Sequence, residues 1–355
     1  MKRVAAPTPA ALPLLDLRRL DQGAGQRAAF LAELRECARD FGFFYVTGHG
    51  VEPALTTDVL GWARRFFALA DHEKNAIAMV NSPHFRGYTR VGLEHTRARP
   101  DWREQIDIGA ERPALPEDPA APWKRLQGPN QWPRTLPGLR LAVLRWQTEA
   151  TALAIRLVRS FAAALGQDEE VFAPIYRDRP TQLLKIIRYP GREAGQDDQG
   201  VGPHKDGGFI TVLLQDTQAG LQVETGQGWI DAPPVPGTFI INVGEALEAA
   251  SNGYLRANVH RVVSPPAGTD RLSVAFFLGA DLDSTVPLLT LAPELAAQAR
   301  GVTQDPQNPI FREVGRNTLK GRLRSHPDVA RRHHADLLVG AALPERPEQL
   351  VDAVD

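Results

Sequence analysis

Only one cysteine, Cys37, occurs in 355 residues, so no disulfide can close within the chain. A lone thiol on one face of an expected helix reads as buried filler rather than as a nucleophile. Lysine is almost as scarce, supplying six of the 41 basic residues. That bias suggests a GC-rich bacterial source, an inference about coding rather than physics. Long apolar runs are missing too: none approaches the roughly 20 residues of a membrane span. The start, Met1-Lys2-Arg3, leads into alanine and proline rather than a signal core. A cytoplasmic location is the resulting expectation. Charge of either sign is balanced, with 41 basic against 42 acidic residues and a formal net charge of −1. Nothing global therefore draws the chain to nucleic acid or an anionic membrane.

What is present is ordinary soluble composition, 43% hydrophobic and 23% charged. Residues 26–40 read as an amphipathic helix, with Phe30, Leu34, Cys37 or Ala38, and Phe41 at three- and four-residue steps. A strand, Phe43 to Val46, follows, and a second helix over 58–69 carries Val59, Trp62, Phe66 and Phe67. From Pro83 to Trp132 the pattern is irregular and rich in proline and arginine. Residues 141–165 form a long helix with Leu144, Thr151, Ile155, Val158, Ala162 and Leu165 on one face, ended by Gly166. Beyond 181 the character changes to short β-branched runs between turns: 182–189, 209–215, 220–224, 228–231, 238–243, 257–263 and 271–278. Strands of this length and spacing argue for a double-sheet β roll able to hold a metal and a small ligand. The expected fold class is α+β: a double-stranded β-helix (jelly-roll) core at 181–285, a mainly helical region at 1–180 and a helical tail at 286–355. We count the whole as one structural unit plus a tail.

Chemistry concentrates in Gly202-Pro203-His204-Lys205-Asp206-Gly207-Gly208. On an extended segment His204 and Asp206 leave the same face. A second imidazole, His260, arrives 54 residues after Asp206 in another strand-like run. Two imidazoles and one carboxylate leave half of an octahedron open, which suits a non-haem Fe(II) oxygenase. A turn pair, or a zinc site without redox chemistry, would use the same residues. His334-Ala335-Asp336 repeats the spacing, but in a helix-like basic tail where residues two apart diverge. His49, His72, His84, His95 and His326 read as surface or loop residues, and the basic stretch 312–332 as a solvated helix face. Arg271 and Ser273 share one strand face and could grip a carboxylate. Alternation puts Lys185 and Tyr189 on one face of 182–189. If Tyr189 points into the roll so does Lys185, which then needs an anionic partner. Asn258, two before His260, is expected on the same wall as that histidine, near substrate.

These residues resemble the isopenicillin N synthase-like branch of the Fe(II)/2-oxoglutarate-dependent oxygenases over roughly residues 13–335. The matching runs include Phe43-Phe44-Tyr45-Val46-Thr47-Gly48-His49-Gly50, Arg86-Gly87-Tyr88, Arg188-Tyr189-Pro190 and His204-Lys205-Asp206-Gly207-Gly208. Asn242-Val243-Gly244, Asn258-Val259-His260-Arg261-Val262 and Arg271-Leu272-Ser273 match as well. The resemblance implies a jelly-roll core, Fe(II) held by His204, Asp206 and His260, and a carboxylate held by Arg271, Ser273 and Tyr189. In most of the family that carboxylate belongs to 2-oxoglutarate, the cosubstrate; in the synthase it belongs to the peptide substrate. The strand Arg188-Tyr189-Pro190 looks closer to the synthase than to members with an asparagine two residues before the tyrosine, since Ile187 occupies that position here. The glutamine near the synthase's end has no clear equivalent, since Gln349 lies in a differently composed tail. The favoured reading is a dioxygenase that hydroxylates, desaturates or cyclises a small, anionic or amino-acid-like metabolite, releasing succinate and CO2. Its partners are then a small-molecule substrate and O2, not nucleic acid or membrane. The alternatives are an oxidase that uses no 2-oxoglutarate and a non-catalytic ligand-binding roll. Arg86, Lys185 and Asn258 are the candidate substrate residues. The arginines between 86 and 103 either meet an anionic substrate or pair with Glu94, Asp101, Glu104 and Asp107. Oligomeric state leaves no mark in the sequence.

Overall fold

In a computed structural model, which describes residues 11–97, 99–226, 228–302 and 309–339, the amino-terminal half supplies strands as well as helices. It runs β1 (Leu14–Asp16), α1 (Ala24–Asp40), β2 (Phe43–Thr47), α2 (Pro53–Phe67), α3 (Asp71–Asn75), β3 (Gly87–Thr89), β4 (His95–Thr96), β5 (Arg99–Pro100) and β6 (Glu104–Gly109). The long α4 (Pro137–Ala164) and short α5 (Ala173–Tyr176) lead into β7 (Gln182–Tyr189), β8 (Gln199–His204), β9 (Ile210–Gln215), β10 (Leu221–Thr225), β11 (Gly228–Asp231) and β12 (Phe239–Val243). Then come α6 (Glu245–Ala250), β13 (His260–Val263), β14 (Arg271–Leu278), α7 (Pro293–Ala296), α8 (Val314–Ser325), α9 (Pro327–His333) and α10 (Ala335–Val339).

Two sheets face each other. The larger has the order β1-β2-β12-β9-β14-β7-β6-β3 and the smaller β11-β10-β13-β8. Alternation along each strand sorts the side chains between two cores. Phe43, Tyr45, Ile187, Tyr189, Ile240 and Ala275 of the large sheet meet Val201, Leu221, Val223 and Val262 of the small one inside the roll. The opposite face of the large sheet, with Phe44, Val46, Ile186, Val212, Val274 and Phe276, packs under α1, α2 and α4. Such two-sided burial makes the sheet strands almost continuously apolar, and a polar residue among them stands out.

Several sequence expectations shift. α2 begins at Pro53, five residues early, because proline is tolerated at a first helical turn. α4 buries Leu139, Val143, Trp146, Ala150, Leu153 and Leu157, a face offset from the one expected, and Leu141 is exposed. The region read as irregular holds β3 to β6, whose polar Glu104, Gln105 and Asp107 are buried against charged partners rather than solvated. β8 also escapes the apolar pattern: its Gly200, Gly202 and Pro203 disguise a strand that ends on His204. Cys37 packs half-buried against the helical core, and burial pushes its thiol up to about 12. No helix among the described residues is long and apolar enough to cross a membrane.

Candidate metal centre and active-site cavity

His204 ends β8 and His260 begins β13, and the two pair directly across the small sheet. Asp206 lies in the turn after β8. One ligand atom from each of the three lies within 4.8 Å of the others, the only such group among the described residues. Nε2 of His204 and Nε2 of His260 are each 3.6 Å from Asp206 Oδ1. Both separations fit ligands bonded to one ion at about 2.1 Å.

Neighbouring groups leave the ligand atoms little choice of orientation. Thr211 Oγ1 and Asn242 Nδ2 donate to Asp206 Oδ2 at 2.6 and 2.8 Å. That oxygen is occupied, and Oδ1 is left for a metal. His204 Nδ1–H donates to the Gly202 carbonyl at 2.8 Å and His260 Nδ1–H to that of Asn258 at 3.3 Å, which turns both Nε2 lone pairs inward. Burial, then repulsion from His260, pushes the His204 imidazole down to about 3, so it is neutral and ready to ligate. Burial works against the Asp206 charge, but His260, His204, Thr211 and Asn242 hold its carboxyl below the usual range. The donor set suits Fe(II) with open positions.

β9 ties this centre to a second one. Its inward residues are Thr211, which holds Asp206, and Gln215, whose Oε1 accepts from Arg271 Nη2 at 2.7 Å. Four residues of strand separate their Cα atoms by roughly 13 Å. Arg271 and Ser273 are each 1% exposed, and Tyr189 is 2% exposed. Arg271 faces Tyr189 across the ladder, its guanidinium 5.0 Å from the ring centroid. Arg271 Nε and Nη1 have no hydrogen-bond partner among the described residues. A buried guanidinium with two idle donors is costly unless an anion meets it. The carboxylate of 2-oxoglutarate fits that requirement.

A cavity of about 630 Å³ opens onto His204 and Asp206, bounded by Lys185, Phe277, Val259, Glu245 and the inner side of α8. Lys185 points inward with Tyr189, and it has the anionic partner that its burial demands: Nζ lies 2.7 Å from Glu94 and 3.7 Å from Asp107. Arg103 bonds Glu94 at 3.0 Å and lies 3.3 Å from Asp101, and Arg322 of α8 bonds Asp107 at 2.8 Å. Burial disfavours the Glu94 charge, yet Arg103, Lys185 and His326 hold the carboxyl well below its ordinary value. The acidic residues thus absorb Arg103. Arg99 pairs instead with Asp197, and Glu104 with Arg188 and Lys74.

Four expectations need correction. Arg86 lines the cavity, but its guanidinium donates to the carbonyls of His84, Phe85 and Leu126, which uses up most of its donors. Asn258 does not line the His260 wall. β13 starts only at His260, so alternation does not extend back, and Asn258 Nδ2 donates to the Phe41 carbonyl at 2.5 Å. His326 is 1% exposed rather than on the surface, set between Phe85 and Glu94. Nor is the basic stretch merely solvated, since Arg322 reaches the fully buried Asp107. His334 and Asp336 do diverge, though His334 lies between α9 and α10 rather than within a helix: His334 bonds the Pro83 carbonyl, whereas Asp336 pairs with Arg125. Gln349 lies outside the described residues. No role for Gln215 or Glu245 was foreseen in the sequence. Gln215 could have been found from its two-residue alternation with Thr211. Glu245 sits where burial pushes its carboxyl up to about 7.

Residues 12–135 match the family model described as the non-haem dioxygenase in morphine synthesis N-terminal region, and residues 180–280 match the 2OG-Fe(II) oxygenase superfamily. A 2-oxoglutarate-dependent dioxygenase, frbJ, of the fungus Dothideomycetidae sp. is 37% identical over 93% of this chain and 94% of its own length. Homoarginine-6-hydroxylase 2-ODD-C23 of Glycine max is 35% identical over 72% of this chain and 78% of its own. A Neurospora crassa protein solved in complex with alpha-KG and thymine superposes with a TM-score of 0.69 at 26% identity, covering 80% of this chain and 91% of that one. The oxidase alternative is not favoured by these relatives, and their fungal and plant origins lend no support to a bacterial source. The chain belongs to the 2-oxoglutarate- and Fe(II)-dependent oxygenases and is a non-haem dioxygenase of that family.

Proposed function

We propose that the protein hydroxylates a small amino-acid-like molecule, with His204, Asp206 and His260 holding Fe(II) and Arg271, Ser273 and Tyr189 holding 2-oxoglutarate. The pair of idle donors on buried Arg271, tied through β9 to the triad, carries the cosubstrate assignment. When bound, iron and 2-oxoglutarate supply the oxidising power, consuming O2, releasing succinate and CO2, and delivering one oxygen atom to the substrate. The chain's own part is to position and to keep water out. Thr211 and Asn242 fix the carboxylate, the Gly202 and Asn258 carbonyls fix the imidazoles, and Phe277 and Val259 wall the cavity with apolar surface.

Both charge signs in that cavity support an amino-acid-like substrate. Arg97 and Arg112 line it without an ion-pair partner among the described residues and are available to a carboxylate. Glu245, whose amide bonds the Asp206 carbonyl, offers the opposite charge on the same wall. The relationship to homoarginine-6-hydroxylases supports the same class. The test is succinate release over the substrate-free background, with a panel of amino acids led by L-homoarginine. A basic amino acid is expected to raise it. If no amino acid raises it while 2-oxoglutarate still binds, the substrate class is wrong.

A further inference from the structure

Every carboxylate on the cavity wall except one has a close partner. Glu94 is bonded by Lys185 and Arg103, Asp206 by Thr211 and Asn242, Asp281 by Arg179, and Asp283 by the Trp123 indole. The exception is Glu245. Its half-buried side chain takes no hydrogen bond from any described residue. The nearby cations are engaged elsewhere: Lys205 Nζ lies 3.1 and 3.4 Å from the two Glu248 oxygens, and Lys320 donates to the Pro309 carbonyl.

The fold brings this carboxylate close to the metal centre. Gly244 lets the start of α6 press on the turn after His204: a Cβ there would come within 2.0 Å of the Gly208 carbonyl oxygen. The Glu245 amide then donates to the Asp206 carbonyl at 2.7 Å. At Gly207, next in the chain to Asp206, an added Cβ would lie 3.9 Å from Glu245 Oε2, with nothing nearer apart from its own chain neighbours. A partnerless carboxylate therefore lies beside the turn that carries Asp206, on the wall of the cavity that His204 and Asp206 also line. A carboxylate withdrawn from water without a partner is unfavourable, and a cation entering the same space offsets that cost.

We propose that Glu245 receives a cationic group of the substrate, a guanidinium or alkylammonium, and thereby decides which carbon faces the metal. The inference rests on the reading that substrate occupies this cavity, but not on the substrate being an amino acid. A guanidinium suits the position best, because its planar fork can meet both carboxylate oxygens. Glu245 then acts as a specificity residue, selecting for charge at the end of the substrate that reacts.

The test is a calorimetric titration without oxygen of the protein carrying Fe(II) and 2-oxoglutarate. The probes are L-homoarginine, its uncharged ureido isostere L-homocitrulline, and n-butylguanidine, which lacks the amino-acid end. Wild type is expected to bind L-homoarginine roughly tenfold or more tighter than L-homocitrulline, as a charge-assisted pair implies. Glu245→Gln is expected to bring that ratio to about one, and Glu245→Asp to keep part of it. The visible band of the iron-bound cosubstrate reports that each variant is folded and loaded. A ratio unchanged in Glu245→Gln overturns the proposal, as does failure of wild type to bind either guanidino compound. Glu245-dependent binding of n-butylguanidine, with L-homoarginine excluded, keeps the role of Glu245 and rejects the amino-acid substrate.

Discussion

At the scale of single residues the centre depends on which atoms are already occupied. Arg271 brings a full charge into a site with 1% exposure and spends one donor on Gln215, leaving two for a ligand. Charge-assisted bonds of this kind contribute about 1.5–3 kcal/mol each. Arg271→Ala is therefore expected to weaken 2-oxoglutarate binding by about 10²-fold or more, read from titration of the visible band. Arg271→Lys should recover only part, because an ammonium cannot reproduce the fork. Affinity unchanged in Arg271→Ala would place the cosubstrate elsewhere. Thr211 makes the subtler case. Its 2.6 Å bond holds Asp206 Oδ2, and Thr211→Val keeps the shape while removing the donor. Outer partners of metal ligands typically matter by 10–100-fold in metal affinity, and a drop in that range is expected on titration with Fe(II) or Co(II). Loss of folding rather than of metal affinity would make Thr211 a core residue only.

Elements are held around the cavity by buried charge, and here the sequence was only partly legible. The strands with β-branched alternation, β7, β9, β12 and β14, were readable to within a residue, and with them Arg271 and Ser273. His204 was legible from its spacing alone, because β8 is built of glycine and proline that no apolar pattern reveals. β6 failed for the opposite reason: Glu104 and Asp107 look solvated until their partners, Lys74, Arg188, Lys185 and Arg322, arrive from distant parts of the chain. α8 is docked by one such contact, Arg322 to Asp107 at 2.8 Å. Removing one member of a buried pair costs about 3–5 kcal/mol. Arg322→Ala is expected to destabilise the protein by about 3 kcal/mol in denaturant unfolding and to loosen α8 in hydrogen exchange. A change below ~1 kcal/mol would mean that α8 is held by its apolar face alone. His326, which follows α8, adds a pH dependence. Burial lowers its imidazole to about 4, below the ordinary 6.5 of the unfolded chain. Its stabilising contribution is thus complete above about 6.5 and lost as the pH falls toward 4, since the unfolded chain takes up the proton first. His326→Gln is expected to flatten stability against pH across that window; an unaltered slope would show that another group carries it.

At the scale of the whole molecule, the two imidazoles come from one sheet and the groups that hold the carboxylate from the other. His204 and His260 belong to the small sheet, and Thr211 and Asn242, which hold Asp206, belong to the large one. The carboxylate therefore joins the two halves of the roll, and without a metal the three ligand groups crowd together under low dielectric. Metal binding should then act as a fastener between sheets rather than as a local event. A ligand present at 100 times its dissociation constant stabilises the native state by about 2.7 kcal/mol, provided the unfolded chain does not bind it. For a chain of this size that corresponds to a rise in Tm of roughly 3–4 °C, read by calorimetry without oxygen. Fe(II) with 2-oxoglutarate is expected to raise it further than Fe(II) alone, because Arg271 is anchored in β14 of the large sheet and gains its anion only then. A chelator should reverse both increments. Asp206→Ala should show neither, and Arg271→Ala only the first. Equal increments in Arg271→Ala and wild type would separate cosubstrate binding from the joining of the sheets and leave the metal triad as the sole fastener.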